Sequence, residues 1–192
     1  MKIHILFGMI GFILLSGCNR AAEKNPRFYD AGVSRELAGH RKAQIKNLKY
    51  ELSFNIPRQK EAAIEGDITL RFDLASRQEV LIDFREEREK IKEVIANGVP
   101  VDKVRFENEH IILPASSTVE GANGIRIRFT AGNQSLNRND EYLYTLLVPD
   151  RARTVFPCFE QPNLKAEFTL QLELPADWKA VSNTYIRSET VT

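Results

Sequence analysis

Across residues 48–56 the chain alternates without a break. Leu48, Tyr50, Leu52, Phe54 and Ile56 are apolar, and Lys49, Glu51, Ser53 and Asn55 between them are polar. Successive side chains of an extended backbone point to opposite faces, so a period of two collects five apolar groups on one side of a strand; a helix would scatter them around its axis. Pro57 has no N–H to give to a ladder and ends the run. Ala62, Ile64, Gly66, Ile68, Leu70, Phe72 and Leu74 repeat the pattern, which predicts an antiparallel hairpin between the two segments. Gly66 inside the second strand predicts a bulge or a close backbone approach.

Further short strands are predicted over residues 79–84, 91–96, 104–106, 110–113, 124–129, 141–148, 167–174, 178–181 and 185–186. Phe168, Leu170, Leu172 and Leu174 fall on one face of the 167–174 strand, and Asn97-Gly98 is a tight-turn signal. One short helix is predicted over 34–44: Val33, Leu37, Arg41 and Ile45 recur every four residues, and Ser34 is placed to cap it. Many strands and hardly any helix predict a mainly β fold, antiparallel sheets packed as a sandwich or saddle, with one short N-terminal helix. The mixed-sign run Arg85-Glu86-Glu87-Arg88-Glu89-Lys90 reads as a solvated loop.

The N-terminus is of another kind. Lys2 precedes residues 3–15, which are apolar except for His4, and the run ends Leu15-Ser16-Gly17-Cys18. It is short for a membrane span and has the charge, apolar stretch and small residues of a secretory signal. Residues 15–18 resemble the lipobox of bacterial lipoproteins. The resemblance implies a signal peptide over 1–17, a lipidated tether over 18–30 and a folded domain over 31–192. Acyl chains on Cys18 would hold the chain in a membrane of the bacterial cell envelope, on the periplasmic or cell-surface side. The chain has 27 basic and 26 acidic residues, and Lys2 is the one charge in the leader, which leaves 26 of each. That balance gives no electrostatic reason to expect a nucleic-acid partner. With Cys18 acylated, Cys158 is the remaining thiol; its neighbours Phe156, Pro157 and Phe159 predict burial as a small apolar side chain rather than a reactive nucleophile.

Residues 149–183 concentrate proline and aromatic residues: Phe156-Pro157-Cys158-Phe159-Glu160-Gln161-Pro162, then a regular strand, then Pro175-Ala176-Asp177-Trp178 and Ser182-Asn183. Pro157 and Pro162 restrict the backbone while Phe156 and Phe159 can anchor it, which makes a rigid corner. Together with Ala152-Arg153, Leu164-Lys165-Ala166, Phe168, and upstream Tyr50, Leu52, Gly66 and Asn97-Gly98, this pattern resembles the N-terminal domain of zinc aminopeptidases of the aminopeptidase N type, peptidase family M1. The resemblance covers nearly the whole chain after the leader. It implies a saddle-shaped β domain that roofs a catalytic domain and shapes peptide entry. It also implies that a loop ahead of the Phe-Pro-Cys-Phe corner helps bind the substrate's amino group, usually through a Gln and an acidic residue. Those positions here are Leu146 and Val148, whose side chains cannot accept a hydrogen bond. Glu160 stands at the motif's own acidic position.

Catalysis in that family needs zinc held by H-E-x-x-H and a later Glu. The chain contains only His4, His40 and His110, and none belongs to such a motif. No catalytic residue, metal site or cofactor is therefore expected in this chain, zinc belonging to the parent family's catalytic domain. A phosphate-cradling glycine loop, a G-x-S-x-G elbow and an aromatic-basic strip are likewise missing from the sequence. Residues 184–192 read as the start of another strand pair, so the domain is expected to be incomplete at its C-terminal end, a fragment or a short product. The first expectation is a non-catalytic N-terminal domain of an aminopeptidase-like envelope lipoprotein, partnered by the membrane and by a catalytic domain, and meeting peptides only indirectly. The alternative is a free-standing β-sheet lipoprotein that binds a protein or glycan; a self-sufficient hydrolase ranks last.

Overall fold

The computed structural model describes residues 26–102 and 104–190. The expected signal peptide, Cys18 and the first part of the expected tether lie outside the described residues. One α-helix, α1 (Arg35–Gln44), opens the body, with Ser34 as its N-cap: the Ser34 hydroxyl accepts the Leu37 N–H at 3.1 Å. Eleven strands follow among the described residues: β1 (Ile45–Asn55), β2 (Glu65–Leu74), β3 (Val80–Asp83), β4 (Ile91–Ala96), β5 (Val99–Pro100), β6 (Arg105–Glu107), β7 (His110–Leu113), β8 (Gly121–Thr130), β9 (Leu136–Arg138), β10 (Leu143–Thr145) and β11 (Glu167–Glu173).

They form a six-stranded sheet in the order β11-β1-β2-β8-β4-β5, a three-stranded sheet in the order β3-β7-β6, and the small ribbon β9-β10. The mainly β architecture is as expected. The hairpin of β1 and β2 is antiparallel, pairing Tyr50 with Leu70 and Leu52 with Ile68. The two sheets enclose one core, in which Ile68, Leu70, Ile125, Ile127 and Phe129 of the large sheet join Val80, Ile82, Ile111 and Leu113 of the small one. Alternation continues through the small sheet: Leu81 and Ile112 point the other way and pack on Leu37 of α1, with Phe28 and Tyr29 at the margin. Phe28 and Tyr29 thus belong to the folded body, although the tether was expected to run to residue 30. The layers are large sheet, small sheet, helix.

Gly66 is a close-approach site. No bulge occurs there, since Gly66 pairs regularly with Phe54 and Phe129, but a Cβ on it would come within 2.4 Å of the Phe129 ring. The irregularity of β1 falls instead between Lys46 and Lys49, where Asn47 takes φ 53° and donates to Asp73 at 2.7 Å. Asn97 and Gly98 make the expected tight turn, both at positive φ (52° and 81°), and return the chain to β5.

Four expectations are corrected. β11 joins β1 in parallel, Tyr50 beside Phe168 and Leu52 beside Leu170, so the large sheet is mixed. The strand expected over 141–148 shrinks to β10, because the Leu146 N–H turns to the Ser135 carbonyl and the Leu147 carbonyl accepts from Arg151. No strand forms over 178–181, where the Trp178 N–H closes a turn on the Pro175 carbonyl, nor over 185–186. The β9 strand, the partner of β10, was not expected; its three residues are too few for a period to register.

Candidate functional site

The corner at Phe156–Pro162 is tied to the body by main-chain and side-chain bonds. A single 3-10 turn, Ala152–Thr154, delivers the chain into it, and from Arg153 to Phe159 every residue is buried. Phe156 packs edge-on to Phe54 and Phe159 edge-on to Phe72, with ring centroids 6.3 and 5.7 Å apart. The Phe159 N–H donates to the Tyr50 hydroxyl at 2.9 Å. Cys158 bridges to Asp83 through both main-chain groups, Asp83 N–H to Cys158 O at 2.8 Å and Cys158 N–H to Asp83 O at 3.0 Å. Beyond it the Gln161 side chain reaches the Ala38 carbonyl at 3.1 Å, and Pro162 emerges into solvent.

Under the corner lies a buried ionic cluster that sequence reasoning passed over. Asp83, fully buried, accepts Arg41 Nη1 on Oδ2 at 2.8 Å and Arg41 Nη2 on Oδ1 at 2.6 Å. The same carboxylate takes the Glu160 N–H at 2.9 Å and faces His110 Nδ1 at 2.8 Å. Arg41 further donates to the Leu81 carbonyl and lies over the Phe159 ring, 5.1 Å from its centroid. Burial pushes the Asp83 carboxyl up, but Arg41 and the His110 bond outweigh it and hold it below the usual aspartate range. One signal for the cluster was available: Arg41 occupies the apolar stripe of α1 between Leu37 and Ile45, where a cation needs a buried partner.

Glu160 accepts the Arg153 N–H at 2.7 Å, and its carboxyl is raised by burial against the pull of that bond. The Cys158 thiol is pushed well above its ordinary value, first by burial and then by the nearby Glu160 and Asp83 carboxylates. Such a thiol is a packing group rather than a nucleophile. Arg153 extends the network outward to Glu109 at 3.4 Å and Asp150 at 3.3 Å.

Leu146 and Val148 are placed apart from this buried assembly. They lie on the exposed stretch between β10 and the corner, 56% and 79% accessible, in line with the stacked Tyr142 and Tyr144. The strip is apolar and offers no side-chain acceptor at either position. His40 and His110 are brought no closer to a shared ligand: His40 bonds Gln78 at 2.6 Å, while His110 is spent on Asp83 and the Asp30 carbonyl. Among the described residues no three His, Cys, Asp or Glu side chains converge on a point that could hold a metal ion. The described residues therefore do not fit a zinc ion.

The family described as the Peptidase M1 N-terminal domain matches residues 46–192. Aminopeptidase N of Streptomyces lividans is 32% identical over 166 residues, covering 79% of this chain and 19% of that protein. Leucine aminopeptidase 2 of Candida glabrata is 25% identical over 156 residues, covering 71% of this chain and 23% of its own length. The chain thus spans about a fifth of these curated relatives. Among solved structures, native yeast LTA4 hydrolase superposes with a TM-score of 0.58 at 18% identity, over 75% of this chain and 28% of that one. The M1 zinc metallopeptidase of Deinococcus radiodurans gives 0.55 at 18%, over 67% and 32%. At such identities these two likenesses concern the fold alone. By its match over residues 46–192, the chain belongs to the Peptidase M1 N-terminal domain family.

Proposed function

We propose that this domain roofs the active site of an M1-type zinc aminopeptidase, shapes the entry of peptides, and performs no hydrolysis itself. The observation that carries the reading is at the sheet edge. Phe168 and Leu170 stand beside Tyr50 and Leu52 on the side of the large sheet that elsewhere forms the core. Yet they are 54% and 44% exposed, where Tyr50 and Leu52 are 3% and 6%. A core-facing apolar surface left uncovered at one edge suits a second domain packed against it. The exposed Tyr142, Tyr144, Leu146 and Val148 supply a second apolar strip, and Leu146 and Val148 give the substrate-facing loop of this reading an apolar rather than an amine-binding character.

The test is a domain exchange. Residues 26–192 replace the matching segment of Streptomyces lividans aminopeptidase N, and hydrolysis of leucyl and alanyl p-nitroanilides is measured. An active, zinc-loaded chimera is expected, with activity lost when Phe168 and Leu170 are both changed to Glu. A soluble chimera that is inactive, or one indifferent to those two changes, overturns the reading. The chain alone is expected to release no p-nitroaniline.

The reading extends to an envelope lipoprotein anchored through acyl chains on Cys18, supported by the leader-like residues 1–17. Cys18→Ala is expected to move the chain from the membrane fraction to the soluble one; unchanged partitioning counts against the anchor.

A further inference from the structure

His110 sits wholly buried at the start of β7, and each ring nitrogen faces an oxygen. Nδ1 lies 2.8 Å from Asp83 Oδ1 and Nε2 lies 2.9 Å from the Asp30 main-chain carbonyl. A main-chain carbonyl can only accept. The Asp83 carboxylate can only accept as well, since it already takes two N–H groups of Arg41 and the Glu160 N–H. Both contacts are hydrogen bonds only if the ring carries two protons. A neutral imidazole keeps one and sets a lone pair against the other oxygen. The carboxylate is the more costly partner to forsake, so the neutral ring retains Nδ1–H on Asp83 and turns a bare Nε2 to Asp30.

We propose that His110 is a proton-operated tie, clasping the arm ahead of α1 when its ring is doubly protonated and letting Asp30 go when it is neutral. Just before Asp30 the arm is anchored through Tyr29: its carbonyl accepts from Asn108 Nδ2 at 2.7 Å, its hydroxyl bonds Glu79, and the Arg105 guanidinium lies over its ring. Because Asp83 also holds Glu160, the tie joins the arm to the Phe156–Pro162 corner. The ring touches Asp83 of β3 and the Asp30 carbonyl of the arm, and the charged and titratable groups that interact with Asp83 are Arg41 of α1, Tyr50 of β1, and Cys158 and Glu160 of the corner, with Arg153 beyond Glu160 and Glu109 next to the ring in the chain. Arg41 and Asp83 are fixed as an ion pair, and burial drives the Tyr50 hydroxyl and Cys158 thiol upward, away from the neutral range. His40, tilted against Phe28 of the same arm, is the other imidazole among the described residues.

The full chain, labelled with 15N and held in detergent micelles, is titrated by NMR from about pH 5 to pH 9. Two protonated ring nitrogens on His110 are expected at the acid end and one at the alkaline end. The Asp30, Ala31 and Gly32 amide resonances should shift with the same midpoint. In His110→Gln the arm resonances should lose that titration, and in His40→Gln they should keep it. A ring singly protonated throughout, or arm resonances that titrate in His110→Gln as in the parent, overturns the proposal. The ring measurement on the unmodified chain decides the matter even if His110→Gln does not fold.

Discussion

Arg41 grips Asp83 through two parallel N–H···O bonds, of 2.8 and 2.6 Å, in a place where the side chains are 3% and 0% exposed. The pair couples α1 to the small sheet and, through the Glu160 N–H, to the Phe156–Pro162 corner. Removing one partner strands the other as an uncompensated buried charge. Asp83→Ala and Arg41→Ala are each expected to lose about 3–5 kcal/mol of stability, read from urea unfolding. The double replacement should lose less than the two summed. Additive losses would show that the pair is not a unit.

Acid should act through the same carboxylate. Asp83 is held below its ordinary range, so its contribution is complete above the unfolded aspartate value of about 3.9 and is lost as pH falls through the lowered folded value. Glu160 has the opposite sign. Its raised carboxyl favours the protonated form in the folded state, so stability falls as pH climbs from the unfolded value of about 4.3 through the raised one. Urea midpoints measured across this acid range should lose their low-pH decline in Asp83→Asn and their mild fall on the rising side in Glu160→Gln.

Gly66 is expected to tolerate no side chain. Gly66→Ala should cost about 1–3 kcal/mol, because the added methyl displaces the Phe129 ring, itself packed against Phe54 and Phe84. Pairing it with Phe129→Leu should recover part of the loss. A Gly66→Ala variant as stable as the parent would falsify the close-approach reading.

Cys158 should stay silent to an aromatic disulfide reagent at neutral pH while the chain is folded, and react at once in urea. Burial and two carboxylates keep its thiolate scarce. Rapid labelling of the folded chain would mean that the corner opens.

Much of this fold could be read in advance where a single strand carried its own instructions. β1 and β2 were legible because their apolar residues fall at alternate positions, and Ser34 announced the helix because a hydroxyl there has an unpaired N–H to meet. The parallel docking of β11 was not legible, since its alternation says which residues share a face and nothing about which strand lies beside it. His110 looked like an isolated histidine; only the register that sets it opposite Asp83 gives it a role. The corner was recognisable by its residues, whereas the carboxylate that holds it lies more than seventy positions upstream, beyond any local pattern.

The pairing of β11 with β1 also has a temporal side. Lys49 meets Glu167 across more than a hundred intervening residues. As the polypeptide leaves the ribosome, β1 and β2 can zip together early, but one flank of β1 stays bare until β11 has been synthesised. A naked flank with Tyr50, Leu52 and Phe54 behind it is the kind of template on which neighbouring nascent copies join. Factors that slow translation or delay β11 should therefore shift the yield from soluble product toward aggregate.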